Sequence, residues 1–109
     1  LKTMQDGEFV DIPIREGEIF LLPPNVPHSP QRFADTVGLV IERPRLADEQ
    51  DGFVWYCDAC GGVLYEDYFH LENIETQLPV VFDEFYSDPQ NRLCDHCGHV
   101  TPLPPERQE

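Results

Sequence analysis

Basic residues are scarce in this sequence. Seven lysines and arginines stand against 21 aspartates and glutamates, which gives a formal net charge of −14. Nucleic-acid binding needs a basic surface that neutralises phosphates, so this balance argues against it, and it also disfavours an anionic membrane surface. The sequence also lacks any run of about 18 apolar residues, the length that a membrane-spanning helix needs. We therefore expect neither a nucleic acid nor a membrane as a partner.

The start of the chain lacks both an initiator methionine and a signal peptide. It reads Leu1-Lys2-Thr3-Met4 and runs at once into strand-like sequence. We therefore expect a fragment of a longer protein. Its 109 residues suffice for one modest domain or two small lobes.

Four cysteines form two matched pairs, Cys57/Cys60 and Cys94/Cys97, each in a C-x-x-C-G motif. Two thiolates at this spacing can bind one tetrahedral metal ion from a tight turn. The following glycine permits the positive φ that points backbone N–H groups at the sulfurs. Two disulfides in a secreted protein are the alternative, but the spacing favours a metal in a reducing compartment, the cytoplasm. Tetrathiolate ligation does not separate iron from zinc.

Short strands separated by proline and glycine are predicted for the first part of the chain. The apolar patterns indicate a half-buried strand at 9–12, a buried strand at 19–22 and another strand at 37–42. A turn is expected at 15–18 and a stiff proline loop at 23–27. Such a series of β elements is typical of a barrel or double-sheet roll.

The second part begins after a polar connector, residues 43–52. Residues 53–56 lead into the first cysteine pair, and a strand is predicted at 63–69. Thr76 is expected to cap a short helix that Asp88-Pro89 ends. Its apolar face would carry Leu78, Val81, Phe82 and Phe85. The proline-rich tail after Cys97 is expected to be loosely ordered or to lie against a neighbour.

Residues 17–28 resemble the second signature motif of the cupin superfamily. The prolines make a rigid turn from which His28 leaves at a fixed angle, suited to binding a metal inside a barrel. Asn25 stands at the position of the motif's middle glycine, and asparagine also tolerates left-handed backbone geometry. An exposed loop histidine is the alternative reading of His28, but the spacing favours a ligand.

Arg32 and Glu42 are further candidates. Arg32 could hold a carboxylate by a forked pair of hydrogen bonds, and Glu42 could accept a hydrogen bond from an amine or phenol. Alternatively, Arg32 makes a surface ion pair, and Glu42 is a solvated strand end or a partner of Arg43 or Arg45. The spacing alone does not decide between these interpretations.

Residues 21–32, 39–43, 51–61 and 94–98 together resemble bacterial-type 3-hydroxyanthranilate 3,4-dioxygenase. The resemblance implies a mainly β protein: a partial cupin-type (jelly-roll) barrel over 1–46, then a small rubredoxin-like metal-binding lobe with a short helix over 47–109. It also implies an Fe(II)-dependent, extradiol-type dioxygenase that cleaves 3-hydroxyanthranilate with O2. The product, 2-amino-3-carboxymuconate semialdehyde, closes to quinolinate, a precursor of NAD in the kynurenine pathway.

The resemblance also implies roles for particular residues. His28 would bind the catalytic Fe(II), Arg32 would bind the substrate carboxylate, and Glu42 would contact the substrate amino or hydroxyl group and assist proton movement. A second iron (or zinc) would be held by four ligands, Cys57, Cys60, Cys94 and Cys97. Bacterial relatives of this type are homodimers, so a homodimer is expected.

The sequence lacks an upstream part of the family pattern, which includes two iron ligands and a further substrate-binding arginine. The family draws a second histidine and a glutamate from an earlier segment, whereas His70, His96 and His99 all follow His28. We therefore expect this chain to be the C-terminal portion of the enzyme and to be inactive alone. A zinc-ribbon-like interaction module and a rubredoxin-like electron carrier are the alternatives. Residues 17–28 and Arg32 favour the enzyme, because an interaction module needs neither.

Overall fold

The protein is mainly β and consists of two compact units in a computed structural model that describes residues 1–108. The first unit is Leu1–Arg43 and the second is Pro44–Glu109. Each unit contains one small antiparallel sheet, and the helices belong to the second. Within residues 1–108, no helix has the length and apolar character needed to cross a membrane.

The first unit is built on a three-stranded antiparallel sheet in the order β2-β1-β3. The strands are β1 (Lys2–Gln5), β2 (Glu8–Asp11) and β3 (His28–Ser29). Asp6 and Gly7 join β1 to β2 with φ angles of 50° and 80°. Positive φ at both positions is what a two-residue hairpin turn requires, because its twist then matches that of the strands.

Two predicted strands of the first unit are wrong. Residues 19–22 and 37–42 pair with no other described strand, and Ile19 is 97% and Leu39 86% exposed. An apolar run becomes a strand only where a neighbour satisfies its backbone groups, and the described part of this unit offers only one small sheet. The described residues therefore form no closed barrel. The strand predicted at 9–12 is confirmed as β2, but it is exposed rather than half-buried.

The predicted connections of the first unit are confirmed. In the turn at 15–18, the N–H of Glu18 donates to the carbonyl of Arg15 at 2.9 Å, and Gly17 has a φ of 82°. The proline loop at 23–27 is irregular. Asn25 within it has a φ of 61°, the left-handed geometry expected from the glycine position it occupies.

The second unit packs a hairpin and helices together. Strands β4 (Asp51–Tyr56) and β5 (Val63–Phe69) pair antiparallel, followed by α1 (Ile74–Ser87) and α2 (Pro89–Arg92). The strand predicted at 63–69 has the expected bounds, and α1 ends at Asp88 as predicted.

The predicted helix cap is wrong. Asn73, not Thr76, caps α1: its Oδ1 accepts a hydrogen bond from the N–H of Glu75 at 2.9 Å. Thr76 lies inside the first turn. The extended backbone of Asn73 allows its short side chain to reach back to the free N–H groups, which a residue already in the helix cannot do.

An aromatic core fills the second unit. The rings of Trp55 in β4 and Phe85 in α1 stack with their centroids 4.5 Å apart and 12° between their planes. Phe85 and Val81 are buried, and Tyr65 and Phe82 pack against the Trp55 ring. Because β4 leads directly to Cys57, this core also anchors the first cysteine pair.

The proline-rich tail lies against the rest of the second unit. It ends in a 3-10 turn, Pro105–Arg107. Arg107 Nη1 donates to Asp83 Oδ1 of α1 at 2.7 Å, and its guanidinium lies over the Tyr86 ring. The described part of the tail is therefore not loose but contacts helix α1 of its own unit.

Candidate metal centre and candidate substrate-binding residues

Each C-x-x-C-G motif forms the same hydrogen-bonded turn. In the first, the N–H of Gly61 donates to the carbonyl of Cys57 at 2.8 Å; in the second, that of Gly98 donates to Cys94 at 2.9 Å. Gly61 and Gly98 have φ angles of 79° and 77°. A side chain would strain this geometry, so the glycine of the motif is required by the turn itself.

The two turns face each other and bring the four sulfurs together. All four Sγ atoms lie within 4.8 Å of one another, with Cys57–Cys97 at 3.6 Å and Cys60–Cys94 at 3.5 Å. Thiolate–metal bonds of about 2.3 Å in a tetrahedron separate the sulfurs by roughly 3.8 Å. The cluster therefore fits one tetrahedral metal ion, and the four cysteines, all free of disulfides, form a candidate metal centre.

The thiols of this cluster differ in pKa. The backbone N–H of Cys97 lowers the pKa of Cys94 to about 6, helped by the N–H of His96 and opposed by burial. The N–H of His99 favours the thiolate of Cys97, but burial and the neighbouring thiols outweigh it and raise its pKa to about 12. Four thiolates at this spacing would repel one another strongly. The thiols that still carry protons therefore lose them only when a cation binds in their place.

The pKa of Cys60 is also raised. The N–H of Gly62 favours the Cys60 thiolate, but the neighbouring thiol of Cys94 and burial oppose and outweigh it. Backbone N–H groups thus point at the sulfurs of Cys60, Cys94 and Cys97, as the turn geometry predicted. Cys57 and Cys94 are buried while Cys60 and Cys97 are exposed, so one side of the cluster faces solvent.

Two histidines flank the metal centre in ways that sequence reasoning missed. His99 Nε2 lies 2.9 Å from Asp58 Oδ1, which links the second turn to the first, although the angle is not that of a hydrogen bond. The ring of His96 lies over Gly62, where a Cβ would be 2.8 Å from its Cδ2. The available signal was their position, because Asp58 lies inside the first cysteine motif and His99 directly follows the second.

His28 has a defined orientation at the start of β3. It pairs with Thr3 of β1, and its Nδ1 lies 2.8 Å from the carbonyl oxygen of Val26. A carbonyl can only accept, so Nδ1 carries a proton, and in the neutral ring Nε2 has the lone pair. His28 is exposed, and no group of three potential metal ligands within residues 1–108 includes it.

Arg32 lies against Gly38, in the segment that follows it. A Cβ on Gly38 would come within 2.9 Å of Arg32 Nη1, so the absent side chain leaves room for the guanidinium. Glu42 is exposed at the end of the same segment.

Comparison with known proteins identifies strong similarities. The family model described as 3-hydroxyanthranilic acid dioxygenase matches residues 1–86. A 3-hydroxyanthranilate 3,4-dioxygenase of Xanthomonas campestris pv. campestris (strain 8004) is 62% identical over 104 residues, which cover 95% of this chain and 59% of the relative.

More distant relatives carry the same name. That of Paraburkholderia phytofirmans is 51% identical over 98 residues, covering 89% of this chain and 56% of the relative. The 3-hydroxyanthranilate 3,4-dioxygenase of Ruegeria pomeroyi is 48% identical over 109 residues, which cover 97% of this chain and 61% of the relative. The chain thus spans about three-fifths of the length of the curated relatives it matches.

Proposed function

Because the chain belongs to the 3-hydroxyanthranilic acid dioxygenase family, we propose that the protein opens the ring of 3-hydroxyanthranilate with O2, giving 2-amino-3-carboxymuconate semialdehyde. The 62% identity to the Xanthomonas campestris relative over 95% of this chain carries the proposal. Because the chain spans 59% of that relative, the activity is proposed for the protein to which these residues contribute, and not for residues 1–109 in isolation.

We propose His28 as one ligand of the catalytic Fe(II). Its support is the hydrogen bond from Nδ1 to Val26, which leaves Nε2 as the metal-binding atom and limits rotation of the ring. The described residues supply this one candidate ligand, whereas an oxygen-activating iron site needs a facial set of two histidines and a carboxylate. The complete ligand set is therefore not present among residues 1–108.

Arg32 is proposed to bind the substrate carboxylate. Its guanidinium is planar and can make two parallel hydrogen bonds to a carboxylate, which fixes orientation as well as position. Gly38 supports this role because it gives the guanidinium space beside the backbone. Glu42 is proposed to contact the substrate amino or hydroxyl group and to accept a proton from it.

The four-cysteine centre is proposed to hold a second metal ion, iron or zinc, that stabilises the second unit. Four thiolates leave no coordination position for a substrate, so this centre does not carry out ring cleavage. The resident metal is identified by the absorption spectrum of the oxidised protein, because ferric tetrathiolate is coloured and zinc tetrathiolate is not.

We also propose a fold for each part of the chain, an oligomeric state and a location in the cell. Residues 1–46 belong to a cupin-type jelly-roll barrel, in which 19–22 and 37–42 would pair with further strands, and 47–109 form a rubredoxin-like lobe.

The protein acts as a homodimer, which sedimentation velocity tests. It works in the cytoplasm, since the four cysteines form a cluster of free thiols and not disulfides.

A chimera provides the experiment. The part of the Xanthomonas campestris relative outside the match is joined to this chain, loaded anaerobically with Fe(II), and assayed with 3-hydroxyanthranilate and O2 beside the 109-residue chain. We expect ring cleavage by the chimera and almost none by the chain alone. His28→Ala should abolish turnover, whereas Arg32→Ala should mainly raise KM, by about 100-fold for a lost forked pair.

Arg15→Ala is the matched control for Arg32→Ala, because Arg15 is an exposed arginine of the same unit that pairs with Glu18. An active chimera that keeps full turnover after His28→Ala would refute the role of His28. A folded, iron-loaded chimera without ring cleavage would refute the proposed activity. Substrate-independent electron transfer at the four-cysteine centre would instead favour the electron carrier.

A further inference from the structure

An open cavity of about 290 Å³ lies in the second unit, at the C-terminal end of α1. Its lining consists of Tyr86, Ser87, Arg92, Leu103 and Arg107. Two of the chain's seven basic residues thus meet at one cavity. We propose that this cavity binds the carboxylate of a small organic acid.

Arg92 supplies the binding charge. Its Nη1 donates to the carbonyl of Thr101 at 2.9 Å, while its Nε is shielded from solvent and has no hydrogen-bond partner among residues 1–108. Because Nη1 is engaged and Nε is shielded from solvent, Nη2 and the guanidinium charge are what Arg92 offers to a carboxylate in the open cavity.

Arg107 shapes the opposite wall. Its Nη1 lies 2.7 Å from Asp83 Oδ1, and its guanidinium carbon is 4.9 Å from the centre of the Tyr86 ring. Asp83 therefore offsets the charge of Arg107. Asp88, the next carboxylate along the chain from Ser87, accepts a hydrogen bond from the N–H of Gln90 at 2.9 Å. The positive charge of Arg92 remains, which suits a ligand with one negative head group.

The remaining walls suit an apolar ligand body. Tyr86 is held by ring contacts with Phe85 and Trp55, at centroid distances of 4.9 and 6.5 Å. Leu103 is held through its carbonyl, which accepts a hydrogen bond from Gln108 Nε2 at 2.7 Å. These walls are therefore formed in advance. The volume is near the lower end of the range for small-molecule sites, about 300 to 1,000 Å³, which favours a compact acid.

A purely structural role for the arginines is the competing explanation. The last turn of α1 has no basic residue of its own, and cations near a helix C-terminus interact favourably with its dipole. In that case Arg92 and Arg107 would stabilise the helix end and need no ligand. Direct titration separates the two explanations.

The test is an NMR titration of the 109-residue protein at low ionic strength. Benzoate is the probe, because it joins one carboxylate to a compact apolar body, and neutral benzamide is its matched control. We expect benzoate to give saturable shifts of the Arg92 Nε–Hε and Tyr86 ring resonances, at least about ten-fold tighter than benzamide. Equal binding of the two compounds, or no saturable shift with benzoate, would overturn the proposal.

Variants and a second anion complete the test. Arg92→Gln should weaken benzoate binding about ten-fold or more and Arg92→Lys less, since lysine keeps the positive charge. Arg15→Gln, in the first unit, should change nothing. Inorganic phosphate binding as tightly as benzoate would overturn the carboxylate assignment. If Arg92→Gln altered the sedimentation coefficient while benzoate gave no shift, a second copy and not a small acid would be the occupant.

Discussion

Asp58 and His99 connect the two halves of the metal centre, with Oδ1 of the first 2.9 Å from Nε2 of the second. The two residues are 41 positions apart: Asp58 follows Cys57 inside the first C-x-x-C-G turn, and His99 follows Gly98 at the end of the second. Their side chains are 59% and 39% exposed, although His99 Nε2 itself is shielded from solvent, and the contact lacks the geometry of a hydrogen bond. The contact is therefore expected to align the turns without dominating their stability.

Asp58→Asn tests that expectation. We predict a loss of less than about 1 kcal/mol in the free energy of unfolding and full retention of the metal, since exposed ion pairs contribute little. Asp95→Asn is the matched control, because Asp95 occupies the same position in the second turn. Chemical denaturation of the three proteins measures the difference. Metal loss in Asp58→Asn alone would mean that the pair is part of the binding site.

Cys60→Ser should weaken metal binding by at least about 100-fold. Loss of an outer-shell partner typically costs 10–100-fold in affinity, and loss of a direct ligand costs more. Since Cys60 is exposed, the substitution removes little core packing, and any destabilisation of the second unit reports on the metal. Metal content and thermal unfolding check the prediction. A full equivalent of metal with an unchanged spectrum would contradict the four-cysteine site.

Metal affinity should rise with pH. At pH 7.5 the Cys94 thiol, with a pKa of about 6, is already ionised, whereas Cys97, with a pKa of about 12, and Cys60, whose pKa is raised, still carry protons. Binding must displace at least two protons, so affinity increases by about 100-fold per pH unit below these higher values. Chelator competition with Zn²⁺ at pH 6.5 and 7.5 measures this change. An affinity independent of pH would show that the thiols are already ionised.

Phe85→Ala should destabilise the second unit by about 3–5 kcal/mol, because it leaves a cavity beneath Trp55. Phe82→Ala is the matched control: its ring also touches Trp55, but Phe82 is 36% exposed, whereas Phe85 is fully buried. We expect roughly half the loss for Phe82→Ala. Denaturant unfolding followed by Trp55 fluorescence reports on both. Equal losses would contradict the central position of Phe85.

Prediction from the sequence succeeded where the decisive interactions are local. The hydrogen bonds of the cysteine turns span only a few residues, and the left-handed φ of Asn25 follows from the motif position it fills. Strand β5 was also predictable, since its neighbour β4 lies just across the first cysteine turn. The cap of α1 was misplaced because Asn73 and Thr76 are both good capping residues and lie three positions apart.

Prediction failed where an element depends on a distant partner. Residues 19–22 and 37–42 carry strand-like composition, yet a strand exists only through its ladder, and no described segment provides one. The cavity at the end of α1 was missed for a similar reason. Arg92 and Arg107 are 15 positions apart, and only the path of the tail brings them to the same cavity.

The sequence by itself identified the four candidate metal ligands, the geometry of each cysteine turn and the family, because these depend on residue identity and short-range hydrogen bonds. The tertiary structure decided that two turns separated by 33 residues face each other within sulfur–sulfur distances of 3.5 and 3.6 Å. It also decided which apolar runs form strands and which arginines share a cavity. These outcomes depend on packing between segments far apart in the chain, and no local pattern encodes that packing.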